Sequence, residues 1–428
     1  MAQCNRQKEG RPRPRGTCDD DPAPGAALAA AGKAKDRRDV LMAMSPAVPD
    51  RNAGIRRFAI EAGWNLMPIS RIVGGFGALN GWRGDGALVT LRQDEAVLSF
   101  VKGLRRRGIP VVDLTCERPD IRVPRVNLDN RAVGRLAAGH FAERNFRHAA
   151  WFSTYWMNVH AERFAGFAKA WNDRSPGNRE PVARWVLCED VPAARRNDSR
   201  AVAKWFAGLL SSVPKPLALL CHCGEDAARV LSECRALGIA VPEEIAILSA
   251  GDYYQICEMQ SVPISSFEIN GERHGYEAAE LLRRLMDGEA PPRGPVLVPP
   301  GPLRVRASTD WTAAADPLVA RALALVSENL SRPWGVAQLC RELGVSPLRL
   351  ERHFDAELGR PPGKEILRQR LARARALLLE TTLTVEQIAA RCGFCHAAYL
   401  SNLFRRETGL SPRAFAKRAR TGSAMPVP

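Results

Sequence analysis

Two near-copies of one pattern fill the last hundred residues, and a repeat of this kind leaves few folds open. The first copy runs Val336-Ala337-Gln338-Leu339, then Leu343-Gly344-Val345-Ser346, then Leu350-Glu351-Arg352-His353-Phe354. The second runs Val385-Glu386-Gln387-Ile388-Ala389, then Cys392-Gly393-Phe394, then Tyr399-Leu400-Ser401-Asn402-Leu403-Phe404. Each copy reads as a short helix with an alanine on its packed face, a glycine turn, and a second helix. Glycine suits the turn because it takes up positive φ without a Cβ clash. The stretch between the copies reads as one long basic helix. A unit of this type leaves the outer face of its second helix free to enter a DNA major groove. Two units in one chain can therefore grip one DNA site without a dimer.

The pattern resembles the AraC-type family of transcription regulators, over roughly Asp316 to Arg420. Further elements fall in the family's order: Arg370-Leu371-Ala372 with Ala376-Leu377-Leu378 on the linking helix, then Phe404-Arg405-Arg406, then Gly409-Leu410-Ser411-Pro412. The first recognition helix is expected to start at Ser346, an N-cap, with Pro347 at the first helical position. Its outer face carries Leu348, Arg349 and Arg352. Arginine suits guanine because its planar fork donates two bonds to O6 and N7. The second recognition helix offers His396, Ala397, Ala398, Ser401, Asn402, Arg405 and Arg406. The resemblance implies a DNA contact at Asn402. Ala397 and Ala398 are small enough to meet only thymine methyls, and Arg405 and Arg406 suit phosphates.

Composition agrees with a polyanionic partner. The net charge is +16, with a pI near 9.8, a balance that favours nucleic acid. From Asp316 onward there are 18 Lys and Arg against 10 Asp and Glu. No apolar run approaches the roughly 18 residues that span a bilayer, and no signal peptide opens the chain. The 11 cysteines are an odd number without a repeated spacing, so they are expected to be reduced thiols in a cytoplasmic protein with no metal site and no cofactor. Cys221-His222-Cys223 ends an apolar run, and Cys392 and Cys395 have CxxC spacing, but neither has a second ligand pair nearby. Both are read as core.

Upstream, residues 1–37 are rich in Ala, Pro, Gly, Arg and Asp without apolar periodicity, and are expected to be disordered. From Asp39 to about Arg304 short apolar runs alternate with amphipathic stretches. Strands are predicted at Val40–Met44, Ala87–Thr90, Val111–Leu114, Ala149–Phe152, Arg184–Cys188, Leu217–Cys221, Ile245–Leu248 and Ile264–Phe267. Helices are predicted between them, among them Arg131–Arg144, His160–Trp171 and Gly271–Met286. Such alternation implies parallel sheets covered on both faces. The length suits two lobes with a cleft between them, and ligands of such sheets bind at strand C-termini.

A second resemblance rests on Gly84-Asp85-Gly86-Ala87-Leu88-Val89, Arg107-Gly108-Ile109-Pro110-Val111-Val112, Val126-Asn127-Leu128-Asp129-Asn130, Glu162-Arg163-Phe164-Ala165-Gly166-Phe167, Gly238-Ile239-Ala240-Val241-Pro242-Glu243-Glu244, and Arg306-Ala307-Ser308-Thr309. This series is similar to the effector domain of LacI-type repressors, which share their fold with periplasmic sugar-binding proteins. Such a domain followed by an AraC-type domain is the layout of the xylose-operon-activator group. The implied fold class is an α/β two-lobed periplasmic-binding-protein-like domain on parallel sheets, residues 38–310, then a linker at 311–316. An all-α domain with two helix-turn-helix motifs follows at 317–421, and then a disordered tail at 422–428.

The resemblance implies a cytoplasmic homodimer that binds promoter DNA, answers to a small effector, and contacts RNA polymerase. The candidate effector-binding residues are Asp50, Arg51, Tyr155, Trp156, Arg163 and Asp252. Arg163 matches an arginine that binds sugar hydroxyls or an anionic group, and Tyr155 and Trp156 have rings able to stack on a sugar face. Two departures matter: Gly224 and Gly251 stand where the group carries acidic residues. Carboxylates orient sugar hydroxyls by accepting charge-assisted bonds, so with two of them replaced acidic ligands such as sugar acids suit this cleft better than in the group at large. A domain that binds no small ligand remains the alternative. A DNA-repair alkyltransferase fused to an AraC-type domain would need a Pro-Cys-His run, which this sequence lacks.

Overall fold

The computed structural model describes residues 37–44, 48–69, 79, 81–92, 95–174, 180–252, 255–314 and 316–420. The expectations for residues 1–36 and 422–428 lie outside that set. The chain begins with β1 (Asp39–Ala43), α1 (Pro49–Ala62), β2 (Asn65–Pro68), β3 (Gly86–Val89), α2 (Glu95–Arg106), β4 (Val111–Asp113) and β5 (Val126–Leu128). It continues through α3 (Asn130–Glu143), β6 (His148–Ser153), α4 (Asn158–Asp173), β7 (Ala183–Val186), α5 (Leu187–Asp190), α6 (Ser199–Ser212), β8 (Leu217–Cys221), α7 (Gly224–Ala236), β9 (Ile245–Ser249) and β10 (Ser265–Phe267). Then come α8 (Gly271–Met286), β11 (Val296–Val298) and β12 (Leu303–Arg304).

These elements form two lobes. Lobe 1 holds a parallel sheet of order β2-β1-β3-β4, and lobe 2 a sheet of order β12-β10-β9-β8-β6-β7 that is parallel except for β12. The chain passes between lobes three times: after β5, after β10, and between β11 and β12. β5 and β11 pair in parallel beside the passage. Each sheet is buried on both faces, as continuous apolar strands such as Leu217–Cys221 demand. In lobe 1 one face packs on α1 and α8 and the other on α2. In lobe 2 the faces pack on α3 with α4, and on α6 with α7.

Two helix pairs approach backbone to backbone because glycine removes the side chain at the crossing. A Cβ on Gly134 of α3 would lie 2.1 Å from the Arg163 carbonyl oxygen of α4, and one on Gly166 would lie 2.2 Å from the Arg131 carbonyl oxygen. The α1–α8 pair uses Gly54 and Gly275 in the same way.

The rest is helical: α9 (Pro317–Glu328), α10 (Val336–Leu343), α11 (Pro347–Leu358), α12 (Pro362–Glu380), α13 (Val385–Arg391), α14 (Ala397–Thr408) and α15 (Pro412–Arg420). The turns before α11 and α14 use Gly344 at φ 66° and Gly393 at φ 68°. Each unit has its own core, and α12 joins them. Ile366 near its start packs in the first core, and Ala374, Leu377 and Leu378 pack in the second.

The structure corrects one expectation. The strand predicted over Arg184–Cys188 stops at Val186, because Leu187–Asp190 turns into a short helix whose Asp190 carboxylate accepts the Val186 N–H at 3.0 Å. The expected linker is packed where it is described. Thr312 and Ala313 are buried, and the Ala313 N–H donates to the Arg144 carbonyl at 2.8 Å.

Candidate nucleic-acid interface and effector cleft

The two candidate recognition helices, α11 and α14, align in sequence register, Leu350 with Leu400 and Phe354 with Phe404, all four buried in their cores. Ser346 caps α11 by accepting the Arg349 N–H at 3.3 Å, with Pro347 at the first position. Leu348 is 67% exposed, and Arg349 and Arg352 are exposed beside it. On α14, His396, Ala398, Asn402, Arg405 and Arg406 are exposed and Ser401 half-buried. Arg406 also pairs with Glu407 at 3.1 Å. Ala397 is half-buried and packs against the second core, whereas Ala398 is exposed.

The register also brings up a residue that sequence patterning does not single out. Tyr399 occupies on α14 the place of Arg349 on α11, is half exposed, and rests edge-on against Phe394 at 5.9 Å. The two buried pairs were the available signal. A phenol held this way presents its hydroxyl on the outer face.

Cys392 is wholly buried in the second core, as expected, whereas Cys395, also read as core, is exposed just before α14.

In the other domain, α3 and α4 both start at the cleft, and their crossing brings Asn130 beside Arg163. Arg163 is 0% exposed. Its Nε donates to Asn130 Oδ1 at 3.0 Å and its Nη1 to the His222 carbonyl at 2.9 Å. Asn130 Nδ2 donates to Glu162 Oε2 at 3.2 Å. His160 and His222 stack with ring centroids 3.7 Å apart. Burial, with the Arg163 charge behind it, pushes His160 down to about 3 and His222 well below the usual range. Both rings are therefore neutral at pH 7. The Met157 N–H donates to His160 Nδ1 at 3.1 Å, which leaves the ring proton on Nε2. Lobe 1 reaches across: Glu117 accepts the Asn158 N–H at 2.9 Å and the Val159 N–H at 3.3 Å, at the N-terminus of α4. A carboxylate is favoured there by the unpaired N–H groups and the helix dipole.

The other predicted effector residues lie around this centre unevenly. Asp50 is exposed in the first turn of α1, with its Cβ close to Gly271 at the start of α8. Arg51, on α1, is buried; burial, and in smaller part the Arg51 charge, pushes His274 of α8 down to about 4. Asp252 accepts the Ile256 N–H at 2.9 Å and the Cys257 N–H at 3.1 Å, so both oxygens are engaged by backbone. Gly224 leaves it that room, since a Cβ there would lie 2.9 Å from Asp252 Oδ1. Asp226 accepts Thr154 Oγ1 at 2.6 Å, and burial raises its pKa. Tyr155 is 61% exposed. Trp156 packs into lobe 2: it meets Trp151 and Phe164 edge-on, and the Arg184 guanidinium covers it at 4.5 Å. Asn130, His160, His222 and Glu117 were not among the predicted site residues.

Comparison with known proteins agrees with this arrangement. Residues 138–309 match the periplasmic binding protein-like domain family, and residues 339–418 match a helix-turn-helix domain family. The xylose operon regulatory protein of Escherichia coli K12 is 25% identical over 369 residues, which are 83% of this chain and 90% of that one. The xylose operon regulatory protein of Haemophilus influenzae is 26% identical over 295 residues, 68% of this chain and 74% of that one. Among solved structures, a xylose-binding transcription activator aligns with a TM-score of 0.56 at 22% identity, covering 90% of this chain and 98% of that one. A LacI family regulator from Bifidobacterium animalis aligns with a TM-score of 0.51 over 65% of this chain. At such identities these structures speak for the fold.

Proposed function

We propose that this chain, an AraC-type DNA-binding transcription regulator with a LacI-like, periplasmic-binding-protein-like domain in the layout of the xylose operon regulatory proteins, is switched by a small polyhydroxylated ligand in the cleft between its lobes. The ligand class is a sugar or a sugar acid. One observation carries the reading: Arg163 lies at the floor of the cleft, on the lobe 2 side of a crossing that lobe 1 bridges through Glu117. A guanidinium has five donors, and ligand oxygens entering from lobe 1 can exchange with the present partners of Arg163. The carboxylates Asp226, Asp252 and Glu162 already accept protein donors. That favours a ligand which itself brings acceptors, a carboxylate among them, over one that brings only hydroxyl donors.

Closure of the lobes on this ligand changes how two protomers of a cytoplasmic homodimer present their recognition helices to promoter DNA. RNA polymerase is the further partner of the activator reading. A ligand shifts such an equilibrium only by its different affinity for the two arrangements. Isothermal calorimetry of the full chain against pentoses, hexoses and their aldonic acids tests the proposal. The expected result is one-to-one binding by at least one member, lost in Arg163→Ala while the thermal transition is kept. Binding of that member with equal affinity by the variant would make Arg163 a packing residue. No binding across the panel would favour the alternative, a domain that answers to no small ligand.

A further inference from the structure

Helix α3 has one end in the cleft and the other on the DNA-binding domain. Its 14 residues span about 21 Å at 1.5 Å per residue. At the first end sits Asn130, bonded to Arg163 and Glu162. At the other end, His140 Nε2 lies 2.8 Å from Thr309 Oγ1, and Arg144 Nε donates to the Thr309 carbonyl at 2.8 Å. The next residue, Asn145, takes the left-handed conformation at φ 62°. From there its Nδ2 donates to the Ala313 carbonyl at 3.0 Å and to the Glu357 carbonyl at 3.2 Å, the latter on recognition helix α11. Arg147 pairs with the Glu357 carboxylate at 3.2 Å.

The strap between the domains is seated from the other side as well. Thr312 Oγ1 donates to Glu365 Oε1 of α12 at 2.9 Å, and Glu365, fully buried, also accepts Arg360 Nε at 2.6 Å and Arg368 Nε at 2.9 Å. Glu357 lies at the C-terminal end of α11, whereas Leu348, Arg349 and Arg352 occupy the end that reads DNA. The contact thus holds the recognition helix without covering its working face. An isolated exposed ion pair would be worth little, but here it stands beside a buried carboxylate with several donors and two amide bonds.

We propose that α3 is a strut, and that the face formed by Asn145, Arg147 and Glu357, with Thr312 and Glu365 behind it, docks the first helix-turn-helix unit rigidly on lobe 2. On this assignment the unit moves with lobe 2 as one body. A change at Asn130 and Arg163 reaches α11 by rotation of that body, not through a slack tether. The inference deepens the reading of the cleft as the effector site and rests on it for direction. Coupling between two sites is reciprocal, so DNA must act back on the cleft, and the test needs no effector.

The double variant Asn145→Gly/Arg147→Ala removes the direct bonds. Glycine accepts the positive φ at position 145, so the turn is kept. The probe is a duplex selected from a random-sequence pool by the full wild-type chain, used at saturation with both proteins. Hydrogen exchange is followed in peptides covering residues 128–135 and 158–166. The expected result is altered exchange there on duplex binding by the wild type, and loss of that alteration in the bound variant. Arg147→Glu should lose it too, and Arg147→Glu combined with Glu357→Arg should regain it, which separates docking from folding. The same alteration in wild type and double variant, or no alteration in the saturated wild type, overturns the proposal. Because the readout uses DNA alone, its failure and the failure of the sugar reading are separate results.

Discussion

Arg349 and Tyr399 stand at matching places on two recognition helices, yet they differ in how visible they are in the sequence. An exposed arginine one place before the core Leu350 announces itself. A tyrosine next to Phe394 reads as core until the helices are aligned through Leu350 with Leu400 and Phe354 with Phe404. Trp156 shows a limit from the other side: its place after a strand suggests a ring near the cleft, but only the fold brings the Arg184 guanidinium over it. Arg349→Ala should cost about 1–3 kcal/mol at the selected duplex if the arginine reads a base, and relax preference at one position. Competition anisotropy with single-position duplex variants checks this. A uniform loss across all sequences would assign Arg349 to a phosphate.

At the scale of elements, the alternation of apolar runs and amphipathic stretches made the two-lobed sheet legible. Buried parallel strands must be apolar on both faces, so β8 and β9 are unmistakable. β2, β5, β11 and β12 were missed because they are two to four residues long and lie at a sheet edge or beside the interlobe passage. The crossing of α3 and α4 was also hidden, since nothing local says that Gly134 faces another backbone. That crossing sets where Arg163 sits relative to Asn130. Gly134→Ala forces a Cβ to within 2.1 Å of a carbonyl oxygen, and should destabilise the chain by about 1–3 kcal/mol, the usual cost of overpacking. Thermal unfolding that matched the wild type would contradict the backbone contact. A Cβ on Gly103 of α2 would meet nothing within 4 Å, so Gly103→Ala is the control that should not destabilise.

For the whole molecule, the order of domains was readable from motifs, while their attachment was not. Thr312 and Glu365 are 53 residues apart in sequence, and Asn145 and Glu357 are 212 apart. Buried polar pairs of that separation leave no period or spacing to find. On the docking proposed above, they seat the expected linker and join lobe 2 with the first helix-turn-helix unit into one lever. The central claim is that ligand in the cleft and DNA on the helices are coupled through this lever. The most direct measurement is the affinity of the full chain for its selected duplex, by anisotropy, with and without a saturating sugar or sugar acid that calorimetry shows to bind. The account predicts a shift of about 5–150-fold, abolished in Asn145→Gly/Arg147→Ala. An affinity that ligand leaves unchanged in the wild type would contradict it.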